Sequence, residues 1–267
     1  MFPLRTKTLP ASAAELSDLI EKSLREVVEA SANFVRVSDR AYPELEEIRV
    51  TLDGATLRMP PPKPPKPVGS SSPALHANRI AFSGKEMSIQ GAQLNVVFDA
   101  SNVELHESRE VNGDIVLVLQ RAADGKIDIN ISKRDLEDVL TALARAEASK
   151  RGVAIEHVDL VLETRGPRSI GAVVNVAVRK AFFSAKIKIA GHLDIDDQLL
   201  AKLSNLSCKG EGAIGSLACG VLTPILQRAN NRSFSLIALP MGEVQLRDVQ
   251  IAAGDQISVQ ARFGSRA

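Results

Sequence analysis

The chain has 267 residues, enough for one large β-rich domain or two small ones. Hydrophobic residues make up 45% and charged residues 24%, as in chains that bury a real core, yet aromatics reach only 3%, with no Trp and a single Tyr, Tyr42. So few aromatics remove the stacking platforms of single-strand nucleic-acid binding, and 33 basic against 32 acidic residues leave no global field for nucleic acid or an anionic membrane.

The N-terminus, Met1 to Pro10, lacks the continuous apolar core of a signal peptide, and no segment offers the roughly 18 uncharged apolar residues of a spanning helix. The chain is therefore expected to be cytoplasmic. Residues 12–32 read as a helix: Ser12 and Glu15 form a capping box, and Leu16, Leu19, Ile20, Leu24, Val27 and Val28 recur at helical spacing. Ile48, Val50 and Leu52 alternate with polar residues in a strand that ends at the Asp53-Gly54 turn signal. The proline-rich stretch 60–73 favours extended polyproline II and reads as a solvated loop, with an SH3-type ligand as the alternative.

Short strands are expected at Met87–Ile89, Leu94–Phe98 and Val103–Leu105, and a stronger one at Ile115–Leu119. Ile127, Ile129 and Ile131 alternate, and then Ser132 with Asp135 opens a second helix carrying Leu136, Val139, Leu140 and Leu143 on one face. Strands follow at Val158–Leu162, Val174–Val178 and Ala185–Ile195. In the last, Ile187, Ile189, Leu193 and Ile195 oppose Lys186, Lys188, His192 and Asp194, so one face is buried and the other wet. Residues 196–207 and 216–230 read as helices, and the closing strands are Val244–Ile251 and Ile257–Phe263. Regular parallel strand–helix alternation is missing, so a doubly wound fold is disfavoured and α+β is expected.

No constellation of catalytic groups emerges. Gly210, Gly212 and Gly215 match G-x-G-x-x-G literally, but a helix-like run, Leu199–Leu203, precedes them. No carboxylate stands about 20 positions on, where a dinucleotide site would use one for the ribose. His76, His106, His157 and His192 lack ligand spacing, and Cys208 with Cys219 makes no standard zinc pattern, so no metal or other cofactor is expected. The two cysteines read as small buried thiols, with a disulfide closing the short loop as the alternative. No serine sits in a nucleophile elbow. Lys63, Lys66, Lys186 and Lys188 form small basic spots whose plain role is to keep sheet surfaces from aggregating; weak contact with anionic lipid headgroups at a membrane surface is the functional alternative.

The run Gly220-Val-Leu-Thr-Pro224-Ile-Leu-Gln-Arg-Ala-Asn230, followed by Phe234-Ser-Leu-Ile-Ala-Leu-Pro240 and the strand to Ile251, resembles the closing segment of the tubular lipid-binding (TULIP) superfamily, in particular its LmeA-like branch. Ile131-Ser-Lys-Arg-Asp-Leu136-Glu-Asp-Val-Leu140 resembles that branch's entry from strand to helix, and the likeness covers roughly residues 125–264. It departs from the branch in lacking a signal peptide and in the polyproline insertion. The resemblance implies a single TULIP-like domain over 1–267, with a strongly curved antiparallel sheet wrapped around long amphipathic helices. It further implies a lipid or another long apolar molecule as partner, bound without catalysis. Periodicity nominates the lining: Leu136, Val139, Leu140 and Leu143; Val174, Val176, Ile187 and Ile189; Leu222, Ile225, Leu226, Leu236 and Leu239. The alternative is a structural or protein-interaction module with a closed apolar core, which the same pattern would build.

Overall fold

The computed structural model of the chain describes residues 1–58, 65–149, 154–180, 183–197, 200–235 and 245–264. It opens with β1 (Phe2–Pro3) and α1 (Ala13–Leu24). The capping box at Ser12 forms: the Glu15 N–H donates to Ser12 Oγ (3.2 Å) and the Ala11 N–H to a Glu15 carboxylate oxygen (2.8 Å). Leu16 and Ile20 are fully buried. The helix stops well before residue 32, because the β-branched pair Val27-Val28 favours extended backbone and Val28 is buried in β2 (Val28–Glu29).

β3 (Val35–Ala41), β4 (Glu44–Thr51) and β5 (Thr56–Leu57) follow, and then three long strands, β6 (Val68–Ile89), β7 (Ala92–Arg109) and β8 (Ile115–Ser132). The short strands expected between Met87 and Leu105 are parts of β6 and β7. Register shifts at Gly84/Met87 and Glu104/Leu105 explain the fragmented pattern, since each irregularity swaps the residues that face the core. From Val68 the stretch expected to be a proline-rich loop is strand, and its part at 60–64 lies outside the described residues. Pro73 is tolerated because β4 pairs with β6 only from His76 onward, so no β4 ladder bond is lost there.

The second half runs through α2 (Lys133–Ser149), β9 (Ala154–Gly166), β10 (Ser169–Lys180), β11 (Phe183–Ile195), β12 (Leu200–Gly210), α3 (Gly212–Ala229), β13 (Ser233–Ser235), β14 (Gln245–Ala253) and β15 (Gln256–Gly264). Ser132 caps α2 as expected, its Oγ accepting from the Asp135 N–H at 3.0 Å.

The strands form two sheets. The first runs β14-β15-β8-β7-β6-β4-β3, with β1 on β8, β5 on β6 and β2 on β5. β4 and β5 both pair parallel to β6, so this sheet is mixed where an antiparallel one was expected. A parallel pair needs a long connection, and residues 52–67 supply it. The second sheet, β13-β12-β11-β10-β9, is antiparallel throughout. The α+β class holds, and no described helix is long and apolar enough to cross a membrane.

One packed cluster joins α1 (Leu16), the first sheet (Ile48, Leu105, Phe263) and the second (Ile170, Ile195). The sheets also meet in polar contacts at the β9–β10 turn. The Ile251 N–H donates to Pro167 O (2.7 Å), and Thr164 Oγ1 exchanges bonds with both backbone groups of Ala253 (2.8 and 2.9 Å). Arg168 bridges to the Asp248 carboxylate (2.8 Å) and to Val249 O (3.2 Å). The Arg168 hydrogen bond holds the Asp248 carboxyl below the usual carboxylate range.

Candidate functional site

The second sheet has one apolar face. Val174 stands between Leu160 of β9 and Ile189 of β11, Val176 between Val158 and Ile187, and Ala172 between Leu162 and Gly191. On the next strand, Cys208 lies opposite Ile189 and Leu203 opposite Leu193. Period two along β9, β10 and β11 builds this face, and the residues alternating onto the other are mainly polar, with Val161 and Val173 among them.

β12 overturns the helix expected over 196–207. Leu199, Leu200 and Leu203 have helical spacing, which concealed a strand whose alternation breaks in the middle. Asn205 adopts a left-handed conformation (φ 54°) beside a register shift at Ala190/His192, so Leu203 and Leu206, three apart, both face inward. Gly191 makes room for this arrangement, since a Cβ there would stand 2.4 Å from Leu206 Cδ2. Leu203, Leu206 and Cys208 are the part of the apolar face that sequence reasoning missed. Alternation on either side of Asn205 was the available signal.

Two helices flank this face. α2 packs along β9, the edge strand. Its Glu137 carboxylate accepts from the Leu160 N–H (2.7 Å), and Arg145 donates to Ile155 O (2.9 Å) and Glu156 O (2.6 Å), so the open edge is covered. α3 packs on β12 and β11. It is fixed by a Cys208–Cys219 disulfide, where free thiols were the first expectation. Its N-terminal end is held by a backbone approach of Gly210 to Gly215 so close that a Cβ at Gly210 would overlap Gly215. At its far end the Asn231 N–H donates to Leu203 O (2.7 Å), and Asn230 Oδ1 accepts from the Leu206 N–H (3.1 Å). Among the described residues α3 reaches one end of β10, the strand between the two walls, where Val176 and Val178 share a packed cluster with Ile214 and Ala218; Ala172 and Val174, farther along the same face, join neither cluster.

Burial sorts the nominated lining residues. Ile187 is buried, and with half-buried Val176 and Ile189 it joins a small cluster that includes Ile214, Ala218 and Cys219 of α3. Leu136, Val139 and Leu140 of α2, Val174 of β10, and Leu222 and Leu226 of α3 are all half-buried and belong to neither packed cluster. Leu143 lies in α2 and Ile225 in α3, while Leu236 and Leu239 fall outside the described residues.

The glycine motif has a strand before it and a helix after it, contrary to expectation, but β12 is antiparallel to both its neighbours and builds no parallel βαβ unit. Its first and third glycines serve the close approach of α3. The histidines are dispersed: His76 Nδ1 bonds Glu44 (3.0 Å), His106 meets Ser71 (3.4 Å) on an exposed stretch, and His192 lies between Arg165 and Asn205. Among the described residues no group of three or more His, Cys, Asp or Glu side chains could hold a metal ion. Comparison of the chain with family models, curated proteins and solved structures finds no match.

Proposed function

We propose that the chain binds a lipid or another long apolar ligand, without catalysis, in a groove floored by β10 and walled by α2 and α3. The observation that carries this reading is the middle of β10: Ala172 and Val174 lie on the apolar face yet join neither packed cluster, whereas Val176 beside them meets α3. Half-buried aliphatic side chains outside both packed clusters give the walls the same chemistry. The apolar face of β10 from Ala172 to Val178 extends about 20 Å at about 3.3 Å per residue, its far end packed against α3, and an acyl chain lying on the part left open would gain about 0.8 kcal/mol for each methylene buried. Flexible chains need no aromatic platform, in keeping with the aromatic-poor composition.

The resemblance to TULIP proteins supports the same ligand class, and strong curvature of an antiparallel sheet around long helices belongs to this proposal. A peripheral membrane, rather than nucleic acid, is the corresponding macroscopic partner. Native mass spectrometry of the protein purified gently from a lipid-containing host tests the reading. A bound mass in the lipid range is expected. A clean apo mass refutes carriage and favours a closed-core interaction module.

A further inference from the structure

The polar face of the same sheet carries a second, chemically different feature. Two rows of side chains run across four strands: Asp159, Asn175, Lys188 and Lys209, and beside them His157, Ala177, Lys186 and Glu211. They line an open trough of about 590 Å³. The acidic end is internally engaged, because Asp159 accepts a hydrogen bond from Asn175 Nδ2 at 3.0 Å. The basic end is not. Lys186, Lys188 and Lys209 are exposed, and none makes an ion pair with a described residue, Glu211 included.

Lys188 and Lys209 are directly cross-strand. Opposed residues stand about 4.5–5.5 Å apart, and like charges in that position destabilise a sheet. Lys186 lies two residues along from Lys188, about 6.6 Å away on the same face. Three ammonium groups so placed can converge on one multivalent oxyanion, which relieves their mutual repulsion; lysine meets phosphate as such a point charge. We propose that Lys186, Lys188 and Lys209 form a binding site for a phosphate group, on the face of the sheet opposite the apolar groove. Asn175 borders the site, and the trough leaves room for the organic remainder of a phosphorylated small molecule or a phospholipid headgroup. The site is independent of the groove and stands or falls separately.

Lysine-directed reductive methylation of the full chain, read by peptide mass spectrometry, tests this. Inorganic phosphate is compared with chloride at matched ionic strength, and phosphatidylcholine vesicles with and without phosphatidate form the second arm. Several-fold slower modification of Lys186, Lys188 and Lys209, with exposed Lys22 and Lys85 unchanged, is expected in at least one arm. Protection by soluble phosphate assigns the site to the phosphate group itself, and protection by phosphatidate vesicles alone assigns it to a lipid headgroup. No selective protection in either arm, or equal slowing of Lys22 and Lys85, overturns the proposal. The double variant Lys188→Gln/Lys209→Gln, which removes only exposed charges, should keep the wild-type circular dichroism and lose the selective protection of Lys186. Protection of Lys186 that survives in this variant also overturns it.

Discussion

Replacing Val174 with tryptophan separates an open groove from a closed core. Val174 sits midway along β10, half-buried and outside both packed clusters. In an open groove the indole would occupy ligand space. Displacing contact with about four methylenes at about 0.8 kcal/mol each removes about 3 kcal/mol, or about a hundredfold in Kd. The fold should change little. In a closed core the same substitution overpacks, costing about 1–3 kcal/mol, and each kcal/mol lowers Tm by about 2–4 °C in a chain of this size. The assay pairs displacement of a fluorescent fatty acid with thermal unfolding. Val161→Trp is the control, because Val161 points to the opposite face and is 49% exposed. Weakened binding with Tm held, in Val174→Trp alone, is the expected result. A Tm loss of the overpacking size with no binding by the wild type would refute the groove.

Arg168→Ala should loosen the junction between the sheets by about 0.5–1 kcal/mol near neutral pH, in the range of surface ion pairs. Because Arg168 holds the Asp248 carboxyl low, the bond contributes fully above about pH 4 and is lost as pH falls through the lower folded-state value. Urea titrations should therefore show the cost of Arg168→Ala shrinking in acid, and a cost independent of pH contradicts this account. The Cys208–Cys219 bridge spans 11 positions, for which chain-entropy reasoning gives about 2–3 kcal/mol. The double serine variant should lose that stability without added reductant, and an unchanged urea midpoint would show that the bridge does not form. Alkylating free thiols in the living host reads the compartment as well, since such bonds persist in oxidising compartments and are rare in the cytosol expected from the sequence.

The local pattern determined much of the molecule. Ser12 and Ser132 start α1 and α2 where the capping boxes stand, because a cap needs only its own neighbours. Alternation marked β10, β11, β14 and β15, and the expected split of Ala185–Ile195, with Ile187, Ile189, Leu193 and Ile195 on one face and Lys186, Lys188, His192 and Asp194 on the other, matches the register. Elsewhere the decision was tertiary. The stretch around Leu199–Leu203 satisfies helical spacing, and only pairing with β11, together with the twist at Asn205, makes residues 200–210 a strand. Val27 and Val28 continue the helical pattern of α1, yet pairing of β2 with β5 ends the helix before them. The parallel join of β4 to β6, the Cys208–Cys219 bond and the facing pair Lys188–Lys209 bring together residues that no short-range pattern connects. The half-buried state of Val174 belongs with these: its place on the apolar face follows from period two, whereas its exclusion from both packed clusters depends on where α2 and α3 settle on the sheet.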